Sequence, residues 1–306
     1  MFKQLSMFNL DAGASLAADA LAAALGKARF VPCAPTQALA LGWVPPRGDE
    51  HGALLEVVDR QWLLALRFEQ RLLPASVVRE HAEQLAQRIE AETGRKPGKR
   101  QLRDLKEQAS FELLPQAFTK QTRVQLWIDP QARRLAVDST TQARLDAVLT
   151  ALVAAAPALA PRAVQTTLAP ASAMADWLAS GAPPAGFTVD QDCELKAADE
   201  SRAAVRYSRH TLDPDEVRRH LERGLRPTRL ALTWRDRVSL VLTEKLELKR
   251  LALLDGTAEA LGPVRGEDNF DADLALATGE LRRLWPDLLA ALDGELQGLT
   301  PEPVAA

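Results

Sequence analysis

The side chains best equipped for chemistry are few and poorly spaced for it. His51, His81, His210 and His220 share no helical ligand spacing. Cys33 and Cys193 stand 160 positions apart without a CxxC pair or a companion histidine. That spacing argues against a zinc site or a disulfide framework and suits a reducing cytosol. There is no GxSxG elbow, no Walker A loop, no GxGxxG turn and no HExxH. The sharpest acidic feature is Asp271-Ala272-Asp273, followed by Glu280. Three carboxylates of this kind can be drawn as a Mg²⁺ site of a nuclease or phosphatase. Aspartates where a helix is expected to open have a simpler use, capping free N–H groups at its positive end.

Charge is more informative than any motif. The whole chain is nearly balanced, with 38 Lys and Arg against 41 Asp and Glu, so the average implies no polyanionic partner. The local windows depart from it. From Arg88 to Lys106 seven basic residues face three acids; from Glu200 to Arg237 ten arginines face six acids; from Asp255 onward eleven acids face three arginines. Two basic stretches on separate segments can follow a phosphate backbone by counterion release, without reading bases. Solvated helix faces produce similar runs. Aromatic platforms for single strands are scarce: only Tyr207 is interleaved with arginines, Arg206 and Arg209, while Trp62, Trp127 and Trp234 sit in apolar runs that suit a core. Duplex is therefore the expected nucleic-acid form.

The elements that must carry these residues read as α+β, with helices mixed among antiparallel sheets. Strand, helix and strand are expected over 2–10, 15–25 and 29–33, then a rigid turn at 42–46 and a hairpin from 54–58 to 62–68. Apolar stripes predict helices over 76–93 and 100–113. Gly94, Pro97 and Gly98 interrupt them, giving an αα-hairpin whose basic tip, with Arg95, Lys96, Lys99 and Arg100, should project into solvent. Strands follow at 124–129 and 135–138, a helix at 141–156, a strand at 163–168 and a helix at 172–180. The run Gly181-Ala182-Pro183-Pro184-Ala185-Gly186 marks a linker. Beyond it come strands at 194–197 and 203–207, a helix at 213–223, and a meander over 229–234, 238–243 and 246–253. Two closing helices are expected, 273–284 and one starting at Pro286. The segments are 1–75, 76–113, 114–180 and 187–306. At 306 residues, 47% of them hydrophobic, the chain can bury a substantial core. No signal peptide is expected, because Asp11 and Asp19 interrupt any apolar N-terminal run, and no membrane span, because the most apolar stretch is interrupted by Pro157 and preceded by Asp146.

Several dispersed signatures occur in one order along the chain: Met1-Phe2-Lys3, Gly42-Trp43-Val44-Pro45-Pro46, Leu72-Leu73-Pro74, Leu113-Leu114-Pro115-Gln116-Ala117-Phe118, Trp127-Ile128-Asp129, Leu248-Lys249-Arg250-Leu251, Phe270-Asp271-Ala272-Asp273 and Thr278-Gly279-Glu280-Leu281. In these the chain resembles the bacterial recombination-associated RdgC family, from its first residues to about Leu292. The resemblance implies a ring-shaped homodimer with a basic central hole for double-stranded DNA, little sequence preference, no catalytic activity and no cofactor or metal. It also implies association with the nucleoid in the cytoplasm, and restraint of the RecA recombinase by occupation of DNA at replication and recombination intermediates. Within it, Phe118 falls at a dimer contact that gates the ring, although a core aromatic would read the same way from the residues alone. Arg209 and His210 fall at a basic-polar pair near DNA, with His210 where an amide such as Gln is expected. The rival readings are a metal-dependent enzyme built on Asp271, Asp273 and Glu280, and a scaffold whose basic hairpin docks an acidic protein.

Overall fold

A computed structural model describes residues 2–11, 13, 17–199, 203–254 and 268–296. In chain order the elements are β1 (Gln4–Asn9), α1 (Ala18–Gly26), β2 (Leu39–Val44), β3 (Leu55–Val58), β4 (Gln61–Arg71), α2 (Ala75–Thr93), α3 (Lys99–Leu113), β5 (Thr119–Asp129), β6 (Arg134–Val137), α4 (Gln142–Ala155), β7 (Arg162–Ala163), α5 (Pro170–Ser180), β8 (Phe187–Ala197), β9 (Ala204–Tyr207), α6 (Pro214–Glu222), β10 (Leu225–Trp234), β11 (Val238–Thr243), β12 (Leu248–Leu253) and α7 (Asp268–Ala290). The class is α+β with antiparallel pairing. Contacts divide the chain into two compact units, one of Met1–Leu21, Leu55–Leu63 and Gln125–Ala306, the other of Ala22–Leu54 and Leu64–Val124.

In the first unit the strands run in the order β6-β1-β12-β11-β10-β8-β9. Side chains alternate across such a sheet with a period of two, so each strand contributes to two faces. Leu5, Cys193, Leu195, Leu230, Leu232, Leu240, Leu242 and Leu248 point to one face and are buried. They join a core with Met174 and Trp177 of α5, Val217 of α6, and Leu274, Leu281, Leu284 and Leu288 of α7. The intervening residues form the opposite face, which carries charged side chains although Ser6, Glu194, Ala231, Val241 and Thr243 on it are buried. Trp127 and Trp234 are buried, and each indole N–H finds an acceptor, Gln61 Oε1 at 2.8 Å and Asp287 Oδ2 at 2.9 Å. The β3–β4 turn is Asp59-Arg60, with φ of 48° and 61°, the paired positive values that a two-residue type I′ hairpin turn requires.

In the second unit β2 pairs antiparallel with β4, and α2 and α3 share a small apolar cluster of Ala82, Leu105 and Ala109 flanked by Val78, Leu85 and Ile89. Gly94 ends α2 in the left-handed region at φ 70°, its N–H bonded to Glu90 O at 2.8 Å.

Four expectations change. Residues 42–44 are strand rather than turn, leaving Pro45-Pro46 to turn the chain. Gly42 is required there because a Cβ would lie 2.4 Å from Phe30 Cα, where the 29–30 backbone crosses β2. That crossing is a single bridge, Arg29 to Trp43, in place of a strand over 29–33. The strand expected at 163–168 is reduced to the pair Arg162–Ala163 beside β1. The closing helices are one, α7, continuous through Pro286, and Asp271 and Asp273 lie inside it. Proline removes one backbone donor and crowds the carbonyl four residues back; Pro286 and Arg282 both face solvent, so that carbonyl can be hydrated and the helix continues. The helix expected from Ser15 is described only from Ala18, and much of the acid-rich tail lies outside the described residues.

Candidate nucleic-acid interface

The four basic residues expected at the α2–α3 connection are all exposed. Among the described residues the side chains of Arg95, Lys96, Lys99 and Arg100 have no hydrogen bond or ion pair. Lys99 and Arg100 occupy the first turn of α3, which contains no acid. Cations there add to the positive end of the α3 dipole instead of offsetting it, while Glu90 and Glu92 in the last turn of α2 offset part of the charge, so the connection carries a net positive potential.

Phe118 follows α3 by five residues and is 85% exposed, which excludes an ordinary core aromatic. Its backbone is nonetheless fixed. The Arg71 guanidinium donates to the carbonyls of Leu114 at 3.3 Å, Ala117 at 3.2 Å and Ala34 at 3.3 Å, and the Leu72 N–H donates to Phe118 O at 2.7 Å. A ring held out on a pinned backbone, close in sequence to the exposed Phe111, is an apolar feature that solvent does not favour.

In the first unit this opposite sheet face gathers cations from four strands. Arg206 on β9, Glu194 on β8 and Arg229 on β10 stand directly opposite one another in register. Lys249 on β12 pairs across to Val241 and to Gln4 of β1. Glu194 is the hub: Lys196 Nζ lies at 2.7 Å, Arg206 Nη2 at 2.5 Å, Thr228 Oγ1 at 3.1 Å and Arg229 Nε at 4.0 Å. The Lys196 contact first, with Arg206 and Thr228 adding to it against burial, holds the Glu194 carboxyl down to about 2. Lys249 pairs with Glu247 at 3.1 Å. Asp192 accepts the Arg209 backbone N–H at 2.9 Å and Arg250 Nη1 at 3.0 Å. Two adjoining clefts, of about 570 and 380 Å³, open on this face and share Asp192, Val241 and Arg250. Lys196, Arg206, Arg209, Arg229, Lys249 and Arg250 thus lie among Asp190, Asp192, Glu194 and Glu247, six cations to four acids and a local excess of positive charge.

The arginine-rich window from 200 to 237 is sorted by this geometry. Arg206, Arg209 and Arg229 reach the sheet face, whereas Arg218, Arg235 and Arg237 are paired with Asp215, Asp287 and Glu280. Arg202 lies outside the described residues. Sequence reasoning missed Lys196, Lys249 and Arg250 as members. The available signal was the polar-apolar alternation of Glu194-Leu195-Lys196 and Leu248-Lys249, which places one charge per two residues on the face away from the core. His210 is exposed beside Arg209, its Nδ1 2.8 Å from Thr211 O. Tyr207 is not a stacking platform: it is buried, donates to Glu216 at 3.1 Å, and is pushed up to about 12 by desolvation and that carboxylate.

The acidic trio does not converge. Glu280 is buried and bound in two-pronged fashion by Arg237, at 2.8 and 2.6 Å, with Arg283 at 3.3 Å, and the Arg237 bond first holds its carboxyl below the usual range. Asp273 is exposed, and Asp271 is engaged by other groups. Among the described residues no group of three or more His, Cys, Asp or Glu could hold a metal ion. Both cysteines are free, and burial pushes the Cys193 thiol up to about 12. No helix among the described residues is long and apolar enough to cross a membrane.

A family model described as "Putative exonuclease, RdgC" matches residues 1–295. A protein of Dechloromonas aromatica named recombination-associated protein RdgC is 44% identical over 300 residues, covering 96% of this chain and 98% of that protein. Proteins with the same name from Cupriavidus pinatubonensis and Burkholderia cenocepacia are 46% and 42% identical over 296 and 307 residues, covering 96% and 100% of this chain and 98% and 99% of theirs.

Proposed function

The chain belongs to the RdgC family of recombination-associated proteins, and from that premise we propose that it is a non-enzymatic, largely sequence-independent double-stranded DNA-binding protein that limits RecA access to DNA. The observation that carries this reading is the charged sheet face, where six cations from four strands and their loops lie among four carboxylates. A sheet face of this kind presents cations to phosphates and offers no helix or ribbon to a groove, so it positions the duplex without reading its sequence. Burial of Tyr207 removes the one aromatic next to these arginines and favours duplex over single strand.

In this account Arg95, Lys96, Lys99 and Arg100 form the tip of a projecting helical hairpin that supplies a second set of phosphate contacts, with Arg209 and His210 at the edge of the sheet site. Two subunits close into a ring through a symmetric contact that includes Phe118, whose exposure supports such a role. The protein is then nucleoid-associated in the cytoplasm and acts at recombination and replication intermediates by occupying the substrate that RecA needs. No cofactor enters the account. The engagement of Glu280 by Arg237 and Arg283 weighs against the rival nuclease or phosphatase on Asp271, Asp273 and Glu280.

The test is fluorescence anisotropy of the full chain with two duplexes unrelated in sequence, alongside incubation of supercoiled plasmid with Mg²⁺ or Mn²⁺. Equal, salt-sensitive affinity for both duplexes without nicking supports the proposal. Strong preference for one duplex, or nicking, contradicts it.

A further inference from the structure

Arg209 and Arg250 are two of five arginines of the first unit that adopt the left-handed backbone region, each with φ of 51°. That region is costly for side chains larger than Gly, Asn or Asp, and it persists only where surrounding contacts hold it. Here both residues are held by one carboxylate. Asp192 Oδ1 accepts the Arg209 N–H at 2.9 Å and Oδ2 accepts from Arg250 Nη1 at 3.0 Å. The elements that present them are irregular at these positions. Arg209 lies just beyond β9 in a bend that is also tied by the His210 N–H to Gln191 O at 3.3 Å. Arg250 lies in β12 where its register with β11 shifts between Ser239 and Val241, the kind of bulge that re-aims a side chain. Both arginines line the same cleft of about 570 Å³, with Asp192, Gln191, Ala231, Ser239 and a second acid, Asp190, whose Oδ2 accepts from Thr233 Oγ1 at 2.9 Å. Among the described residues the Arg209 guanidinium has no hydrogen bond or ion pair, and the Arg250 side chain is 76% exposed.

We propose that this cleft is a seat for a backbone phosphodiester of the duplex, formed by Arg209 and Arg250, and that Asp192 is its positioning residue. The proposal rests on the duplex-binding reading above and deepens it. An acid on a polyanion-binding face ought to be a liability, since its charge repels the ligand. Its placement makes sense if it fixes the Arg209 backbone in a conformation it would otherwise leave and holds the Arg250 guanidinium, keeping both cations at one spot before DNA arrives. Preorganisation of this kind removes the ordering cost at the moment of binding.

Charge and positioning predict opposite signs, which makes the test sharp. If only charge mattered, Asp192→Ala would tighten duplex binding and steepen its salt dependence. Positioning predicts the reverse: affinity of the full-length protein for a random-sequence duplex of about 25 base pairs falls about tenfold near 0.1 M salt, and the log–log salt slope becomes shallower by about one to two, as one or two phosphates cease to be neutralised. Asp192→Asn keeps an acceptor for the Arg209 N–H and loses the ion pair with Arg250, so its effect should lie between wild type and Ala. In a protein already carrying Arg209→Ala and Arg250→Ala, removing Asp192 should strengthen binding, because only its repulsion remains. Unchanged or tighter binding by Asp192→Ala in the otherwise unaltered protein overturns the seat. Weaker binding in both backgrounds marks a folding effect and overturns it equally. Failure of the unaltered protein to bind duplex at low salt would overturn the reading of the whole face, and this seat with it.

Discussion

Glu194→Gln keeps the shape of the hub on the cationic face and removes only its charge. The carboxylate is 4% exposed and lies within 2.7 Å of Lys196, 2.5 Å of Arg206 and 3.1 Å of Thr228. A carboxyl held from its ordinary 4.5 down to about 2 represents at most about 3 kcal/mol, at about 1.4 kcal/mol per pH unit. Lys196 and Arg206 are 47% and 70% exposed, so water takes over much of their solvation once the partner is gone, and about 1–2 kcal/mol is the expected loss. The sign follows from the depressed native value: the stabilisation is fully present above about pH 4.5 and is lost as pH falls toward 2. Urea unfolding of the full chain should therefore show a gap between wild type and variant near pH 7 that shrinks to less than half near pH 3. Lys196, Arg206 and Arg229 are released from the hub in the variant, so duplex affinity should hold or rise with a steeper salt slope. A stability gap that is absent, or equal at the two pH values, would refute this account of Glu194.

Phe118→Ala should leave the unfolding free energy of the subunit within about 0.5 kcal/mol, since an exposed side chain contributes little to the fold, while sedimentation shifts toward monomer and DNA affinity drops; an unchanged sedimentation profile would remove Phe118 from the interface. Glu280→Gln should destabilise by about 1–3 kcal/mol, because a buried carboxylate paired with Arg237 is removed, and should change no plasmid nicking in Mg²⁺ or Mn²⁺. Nicking by wild type that disappears in the variant would instead favour the enzyme reading. EDTA should leave duplex binding unaltered, and a chelation-sensitive affinity with stoichiometric metal in the purified protein would contradict that. Alanine at Lys99 and Arg100 together should flatten the salt slope by about one to two and weaken different duplexes by similar factors; an unchanged slope would place the connection outside the DNA site.

The long amphipathic elements could be read directly because their periodicity is carried by large apolar side chains. The stripe through Val78, Ala82, Leu85 and Ile89 and the alternation in the 229–243 meander each bury one face, and the structure places α2, β10 and β11 close to the expected limits. What failed was local chemistry overruled by long-range pairing. Gly42 and the prolines after it look like a turn, yet the glycine serves a backbone crossing with Phe30 that no neighbouring residue announces. Pro286 looks like a helix start, but it lies on the solvent side of α7, where a missing hydrogen bond is tolerable. The cationic face was half visible. A count of charges located the window from 200 to 237, but could not separate Arg229, which alternates outward on a strand, from Arg237, which is spent on a buried glutamate 43 residues later. Asp192 was invisible for the same reason: its partners come from a bend and a bulge in two other segments, and neither irregularity has a glycine to mark it.

The central claim is that the sheet face binds duplex DNA through its phosphates, and the most direct measurement is the salt dependence of duplex affinity for the full chain beside a variant with Arg209, Arg229 and Lys249 replaced by Gln. The account predicts a log–log slope of about −3 or steeper for wild type, the same for unrelated duplexes, and a slope shallower by about two to three units in the variant, at about 0.9 for each phosphate no longer neutralised. A wild-type slope that survives the three replacements unchanged would mean that the duplex lies elsewhere and that this face does not bind it.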